Sequence, residues 1–218
     1  RDMDFELISQ TENEVRYRLN SNDQTLAKYP WPFCLEIAYK LHHDSVDVIW
    51  EVKNTGTSDM YFQIGAHPAF YYPDYAENMS ERGFLSFDKS EGLECIRIKE
   101  KGCVDAQTKH PLEIPEDSLL PVTRETFDVI DTIMLQDRQI GSVTLYRADR
   151  SPWLSLSFDA PVVGIWSPPG KNAPFICLEP WYGRCDRAGY EGDFTDKDWM
   201  NRLAPGERFS SVYTIEIA

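Results

Sequence analysis

Long apolar runs and low-complexity tracts are both missing from this sequence. No apolar stretch approaches the roughly 20 residues that a membrane-spanning helix requires, so we expect no membrane segment. There is also no internal repeat and no linker-like stretch along the 218 residues. Because a chain of this length can bury one continuous core, we predict a single domain over residues 1–218.

Positive charge is scarce. The chain has 22 Lys and Arg residues against 36 Asp and Glu residues, which gives a formal net charge of -14. Such a molecule repels the phosphates of nucleic acids and anionic membranes, so we exclude both as partners. One or two arginines in a cleft can still hold a single phosphate group, and a sugar phosphate therefore remains possible as a ligand.

Cysteine pairs and metal-ligand spacings are lacking too. The five cysteines are odd in number and contain no C-x-x-C pair, which indicates free thiols in a reducing compartment, and we expect a cytoplasmic protein. His42, His43 and His110 have no partner spacing for zinc. We therefore predict no metal and no cofactor.

What the sequence does contain is short alternation of apolar and polar residues, rich in aromatic and β-branched types. This period of two predicts β-strands with one buried face, and no strand–helix–strand rhythm interrupts it. The fold class predicted is all-β. One short helix is predicted over residues 196–203, and residues 100–122 are predicted to form a long surface excursion. The predicted strands cover residues 5–8, 15–19, 33–41, 46–52, 143–146, 153–158 and 212–217.

Two motifs place an ionisable residue before a proline at the end of an apolar run. In the first, residues 63–70 read Gln-Ile-Gly-Ala-His-Pro-Ala-Phe. A proline cannot donate to a strand ladder and holds its predecessor extended, so His67 should lie at a strand end. By alternation Gly65 shares its face, which leaves room for another group to approach.

The second motif, residues 174–183, reads Pro-Phe-Ile-Cys-Leu-Glu-Pro-Trp-Tyr-Gly. Here an apolar, aromatic setting would raise the pKa of the Glu179 carboxyl and make it a useful base. A histidine and a carboxylate in matching positions suit paired acid–base chemistry. The alternative is structural, because a strand histidine is often a packing residue and a Glu-Pro-Trp turn can be a sheet edge.

Across nearly its whole length, the chain resembles the aldose 1-epimerase (galactose mutarotase-like) family, and in particular its bacterial branch of less characterised members. The resemblance is carried by residues 65–70 with their His-Pro-x-Phe motif, residues 127–135 with Asp131-Thr132, and residues 164–183. It implies a large antiparallel β-sandwich that holds a free sugar. Such a fold is expected to have further strands before residue 1, so we expect these strands to be missing here.

The resemblance also implies residue roles. His67 corresponds to the general acid that protonates the ring oxygen, and Glu179 to the base that removes the proton of the anomeric hydroxyl. Asp131 corresponds to an aspartate that binds sugar hydroxyls. Arg1 corresponds to an arginine that holds substrate in phosphosugar-using relatives. The implied reaction is interconversion of the α and β anomers of an aldohexose or hexose 6-phosphate, without metal or cofactor.

Two other functions stay open at this point. A relative with this fold could bind carbohydrate without catalysis, because a fold does not by itself fix a function. A glycosidase would use Glu179 together with a second carboxylate across one sugar.

Overall fold

The computed structural model describes residues 3–100 and 102–218, which form mainly β-strands. Every strand predicted from the alternation pattern overlaps a strand of the structure, so the all-β class is confirmed. The helical elements are α1 (Asp23–Leu26), α2 (Thr126–Ile130) and a 3-10 turn at Phe194–Asp196. Within the described residues, no helix is long and apolar enough to cross a membrane. In chain order, the strands are β1 (Glu6–Gln10), β2 (Glu14–Asn20), β3 (Phe33–Leu41), β4 (Ser45–Asn54), β5 (Met60–Phe62), β6 (Ile64–Gly65), β7 (Ala69–Tyr71), β8 (Glu81–Phe87), β9 (Glu94–Glu100), β10 (Cys103–Pro111), β11 (Leu120–Thr123), β12 (Thr132–Gln136), β13 (Ser142–Tyr146), β14 (Pro152–Phe158), β15 (Val162–Trp166), β16 (Phe175–Tyr182), β17 (Asp186–Arg187), β18 (Asn201–Leu203) and β19 (Arg208–Ile217).

Two compact units make up the described chain. The first contains the described residues up to Phe62 together with Met200–Ile217. In it, β1, β2, β3, β4 and β19 are antiparallel neighbours in that order, and β18 pairs with β5. Strand β4 alternates as the sequence predicts, because Val48, Trp50 and Val52 are buried between less buried neighbours. The single domain expected over residues 1–218 remains a prediction.

The second unit, Gln63–Trp199 with Ala218, contains the sheet that carries the candidate site. Its strands lie in the order β17, β10, β9, β12, β15, β16, β6, and β7 also pairs with β16. Four adjacent strands of this sheet contribute one buried cluster, formed by Ile96, Val104, Met134 and Val162. Strands β14, β13, β8 and β11 are neighbours in a further antiparallel arrangement of the same unit.

Two of the expected elements are wrong. Residues 196–203 form no helix: the 3-10 turn ends at Asp196, and Asn201–Leu203 is strand β18, which pairs with β5. Eight residues are too few for a stable helix unless one face packs against the protein. Here the hydrogen bonds between β18 and β5 stabilise the backbone instead. Residues 100–122 are also not one excursion, because they contain β10 and the start of β11.

Candidate active site

His67 and Glu179 face each other across paired strands. Strand β6 ends at Gly65 and β7 begins at Ala69, so Ala66, His67 and Pro68 fill the gap between two short strands. Both short strands pair with β16, Gly65 opposite Trp181 and Ala69 opposite Cys177. Since the register is antiparallel and unshifted on either side of the gap, His67 lies opposite Glu179.

The two prolines of the motifs behave differently. Pro68 interrupts its strand as expected, and its carbonyl still accepts a hydrogen bond from the Leu178 N–H at 3.3 Å. Pro180 does not end its strand, because β16 continues to Tyr182 and pairs with β15 throughout. The carbonyl of Pro180 accepts from the Ala66 N–H at 3.0 Å. These two bonds flank His67 and hold its backbone against the Glu179 strand.

The side chains of the pair are in contact. The Nδ1 atom of His67 lies 3.3 Å from Oε1 of Glu179. The His67 side chain is 62% exposed, whereas that of Glu179 is 4% exposed, so the pair joins an exposed histidine to a buried carboxyl. On its other side, the His67 ring meets the Trp166 ring edge to face, with centroids 5.7 Å apart. The structure therefore brings the two predicted residues together, while their catalytic roles stay predictions.

Burial dominates the electrostatics of the carboxyl. It raises the pKa of Glu179 from 4.5 to about 8, and hydrogen bonding by the Trp181 side chain lowers the pKa only in part. The Trp181 N–H also donates to the Ala66 carbonyl at 3.0 Å. A carboxyl with this pKa carries its proton in a substantial fraction of molecules near neutral pH, which is suitable for exchanging a proton with an adjacent imidazole.

Cys177 is a neighbour of the His67–Glu179 pair that the sequence motifs did not single out. It is two residues before Glu179 on the same strand and so lies on the same face, which strand alternation could have indicated. Burial and the Glu179 charge raise the pKa of its thiol to about 12. The His67 Nδ1, Cys177 Sγ and a Glu179 oxygen all lie within 4.8 Å of one another. This set could hold a divalent cation, provided that the thiol proton is displaced; the expected metal-free reaction remains a prediction.

An open cavity of about 540 Å³ lies beside the pair, within the range typical of small-molecule sites. His67, Glu179, Thr132 and Trp181 are among the side chains that line it. The room beside Gly65 that the sequence suggested is filled by the Trp181 indole: a Cβ atom on Gly65 or on Gly164 would collide with that ring. The two glycines therefore seat the tryptophan rather than the ligand.

Arg184 is a cavity residue that sequence reasoning did not select. Its guanidinium lies 2.5 Å from Oδ2 of Asp198 and donates to the Cys185 carbonyl at 2.9 Å. The Nε–H donates to the Gln136 side-chain oxygen at 3.3 Å. Because these partners occupy most of its donors, Arg184 holds the cavity wall together. Its position directly after the Glu-Pro-Trp-Tyr-Gly motif could have indicated that it lies near Glu179.

Asp131 lies at the end of α2, beside the cavity residue Thr132. Asp131 caps the end of α2 with a left-handed backbone, φ +65°, and its carboxylate accepts a hydrogen bond from the Thr132 hydroxyl at 2.8 Å. Thr132 lines the cavity, so Asp131 lies one residue behind the wall. Arg1 lies outside the described residues. Sugar binding by Asp131 and by Arg1 stays a prediction.

Comparison with known proteins identifies the family. The family model for aldose 1-epimerase matches residues 1–216. The chain belongs to the aldose 1-epimerase family. It is similar to the plasmid-encoded and chromosomal LacX proteins of Lactococcus lactis subsp. lactis, each 31% identical over 228 residues that cover 100% of this chain and 73% of the relative.

Solved structures of the family share the fold. A galactose mutarotase-like protein from Lactobacillus casei ATCC 334 matches with a TM-score of 0.88 and 27% identity, over 100% of this chain and 74% of that one. A galactose mutarotase related enzyme from Lactobacillus acidophilus matches with a TM-score of 0.88 and 27% identity, over 100% of this chain and 72% of that one. The large antiparallel, galactose mutarotase-like fold predicted from the sequence is therefore confirmed, and membership of the aldose 1-epimerase family supports an epimerase-type function on carbohydrate.

Proposed function

We propose that this aldose 1-epimerase family member is a mutarotase, which interconverts the α and β anomers of an aldohexose or its 6-phosphate. One observation supports this most strongly: a buried carboxyl with a pKa of about 8 touches an exposed histidine at the edge of a cavity. Opening a cyclic hemiacetal requires a base at the C1 hydroxyl and an acid at the ring oxygen. A carboxylate and an imidazolium in contact supply both.

The reacting pair carries one proton in addition to those of the sugar. With the proton on His67, the Glu179 carboxylate removes the proton from the C1 hydroxyl while the imidazolium protonates the ring oxygen. The C1–ring oxygen bond breaks and the open-chain aldehyde forms. After rotation about the C1–C2 bond, Glu179 returns its proton to the carbonyl oxygen as the ring hydroxyl attacks C1, and His67 recovers the proton of that hydroxyl.

The other cavity residues have supporting roles in this proposal. The Trp166 ring limits the movement of His67, and Trp181 closes the wall beside Glu179. Keeping water from the carboxyl preserves its high pKa and its strength as a base. Asp131 and Arg1 are proposed to bind sugar hydroxyls or a phosphate.

Polarimetry tests the proposal. Freshly dissolved α-anomers of several aldohexoses and 6-phosphates are followed with the full chain and with His67→Asn and Glu179→Gln. We expect each variant to lose at least about 100-fold in catalysed rate, as is common for a general acid or base. Glu113→Gln, at an exposed position, serves as the control and should keep the full rate.

Two outcomes would contradict the assignment. If Glu179→Gln keeps a near-normal rate, Glu179 is not the base. If the full chain accelerates the mutarotation of no aldose and yet binds sugar by calorimetry, the protein is a non-catalytic carbohydrate-binding member of the family.

A further inference from the structure

A buried arginine without a carboxylate partner lies in the same unit, outside the cavity beside Glu179. Arg82, on β8, is 5% exposed. Its guanidinium donates to the Ala173 carbonyl at 3.2 Å and to the Asn172 side-chain oxygen. The Nε atom is buried and has no hydrogen-bond partner among the described residues. Only neutral oxygens therefore satisfy this cation.

Aromatic rings complete the surroundings of Arg82. Its guanidinium carbon lies 4.8 Å from the centre of the Tyr75 ring and 5.9 Å from that of the Tyr72 ring. Ring faces attract a cation but carry no net charge. Arginine keeps its charge in proteins, so Arg82 cannot escape the cost of burial by losing a proton. Among the described residues, no directly paired negative group compensates this charge.

A small pocket of about 20 Å³ adjoins this arginine. A second arginine, the exposed residue Arg124, is among the residues that line it, together with Thr123 and Ser167. The acidic residue on this pocket is Asp128, whose Oδ1 accepts from the Gly170 N–H at 2.5 Å. In the part of the chain that the structure describes, neither Arg82 nor Arg124 forms an ion pair.

We propose that this pocket binds a small monovalent anion, of the size of chloride. The two arginines supply the charge, and the unused Nε–H of Arg82 supplies a hydrogen-bond donor. The volume suits one atom-sized occupant and is too small for a sugar. The anion would fix residues 167–173, which begin directly after Trp166, the residue that contacts His67.

Thermal unfolding in matched salts tests the site without any measurement of activity. The full chain is unfolded in sodium gluconate, whose anion is too large for the pocket, and in mixtures where chloride replaces gluconate at constant ionic strength. Constant ionic strength removes the general screening expected for a net charge of -14. We expect a saturable rise in Tm of about 2–4 °C with chloride.

Four variants test whether chloride acts at this pocket: three change residues that line it, and one is a control elsewhere. Arg82→Gln should abolish the rise. Arg124→Gln, at an exposed position that should not impair folding, should raise the chloride concentration for half-saturation at least about tenfold, as expected for the loss of one charge contact. Asp128→Asn removes a competing negative charge and should lower that concentration. Arg202→Gln, a control at a position exposed in the other unit, should respond as the unaltered chain does.

The proposal fails if chloride and gluconate give equal Tm values for the unaltered chain and for Asp128→Asn. It also fails if Arg124→Gln keeps the unaltered response. A larger response to phosphate than to chloride would contradict the assignment to a small anion.

Discussion

At the scale of single residues, the proton shared by His67 and Glu179 determines the pH dependence of the proposed reaction. The active form carries one proton, which moves between Glu179 and His67, and the pair loses this proton as the pH rises past the Glu179 pKa of about 8. We therefore expect kcat/KM to fall above pH 8, approaching tenfold per pH unit. Polarimetry between pH 6 and 10 measures this fall in kcat/KM. A rate that rises steadily to pH 10 would show that the unprotonated pair is the active form.

The same carboxyl gives a prediction for stability. The folded protein binds this proton more tightly than the unfolded chain, because the pKa is raised from 4.5 to about 8. Its contribution to stability is thus fully present below pH 4.5 and is lost as the pH rises through 8. Glu179→Gln cannot ionise. Its unfolding free energy should therefore rise relative to that of the unaltered chain by on the order of 2–4 kcal/mol as the pH is raised from 4.5 to 9.

Urea unfolding at a series of pH values checks this gain. Glu113→Gln, which changes an exposed carboxyl, should follow the unaltered chain throughout. If Glu179→Gln shows the same difference in unfolding free energy at pH 5 and pH 9, the pKa of Glu179 is not raised in the folded protein.

At the scale of elements, strand β16 and its neighbours are built around one tryptophan. A methyl group added at Gly164 would overlap the Trp181 ring, which its N–H bond to the Ala66 carbonyl holds in place. We expect Gly164→Ala to cost about 1–3 kcal/mol in unfolding free energy. Combining it with Trp181→Leu should recover part of that loss, since the smaller side chain removes the overlap.

A matched glycine provides the control. At Gly141, an added methyl group would meet the end of the Asp88 side chain at 3.2 Å, against 2.5 Å to the Trp181 ring at Gly164, so Gly141→Ala should cost much less. If the effects of Gly164→Ala and Trp181→Leu are simply additive in the double variant, the overlap is not the cause of the loss.

The elements also show what the sequence could and could not predict. Strand alternation located β3 and β4 closely because one buried face repeats with a period of two. The helix predicted over residues 196–203 was wrong, because residues 201–203 pair with β5, a contact that no local pattern encodes. His67 and Glu179 were selected because each precedes a proline, and the structure brings their side chains into contact although Pro180 does not end its strand. Cys177 and Arg184 were missed because their places in the site depend on strand register and on partners far along the chain.

At the scale of the whole molecule, the net charge of -14 distinguishes the two proposed substrate classes. A neutral aldohexose is unaffected by this field, whereas a hexose 6-phosphate is repelled during its approach. The range of the field shrinks from about 30 Å at 0.01 M salt to about 8 Å at 0.15 M. We therefore expect kcat/KM for the 6-phosphate to rise severalfold over this interval and that for the free sugar to stay constant.

Polarimetric rates for matched sugar and 6-phosphate pairs, in sodium gluconate to avoid filling the proposed anion pocket, provide the comparison. A kcat/KM for the 6-phosphate that falls as salt is added would mean that local cations attract the phosphate more strongly than the net charge repels it. Arg1 would then be the first residue to replace, because Arg184 already spends its donors on Asp198, Gln136 and Cys185. Loss of the salt effect in Arg1→Gln, with the free-sugar rate unchanged, would assign the phosphate contact to that residue.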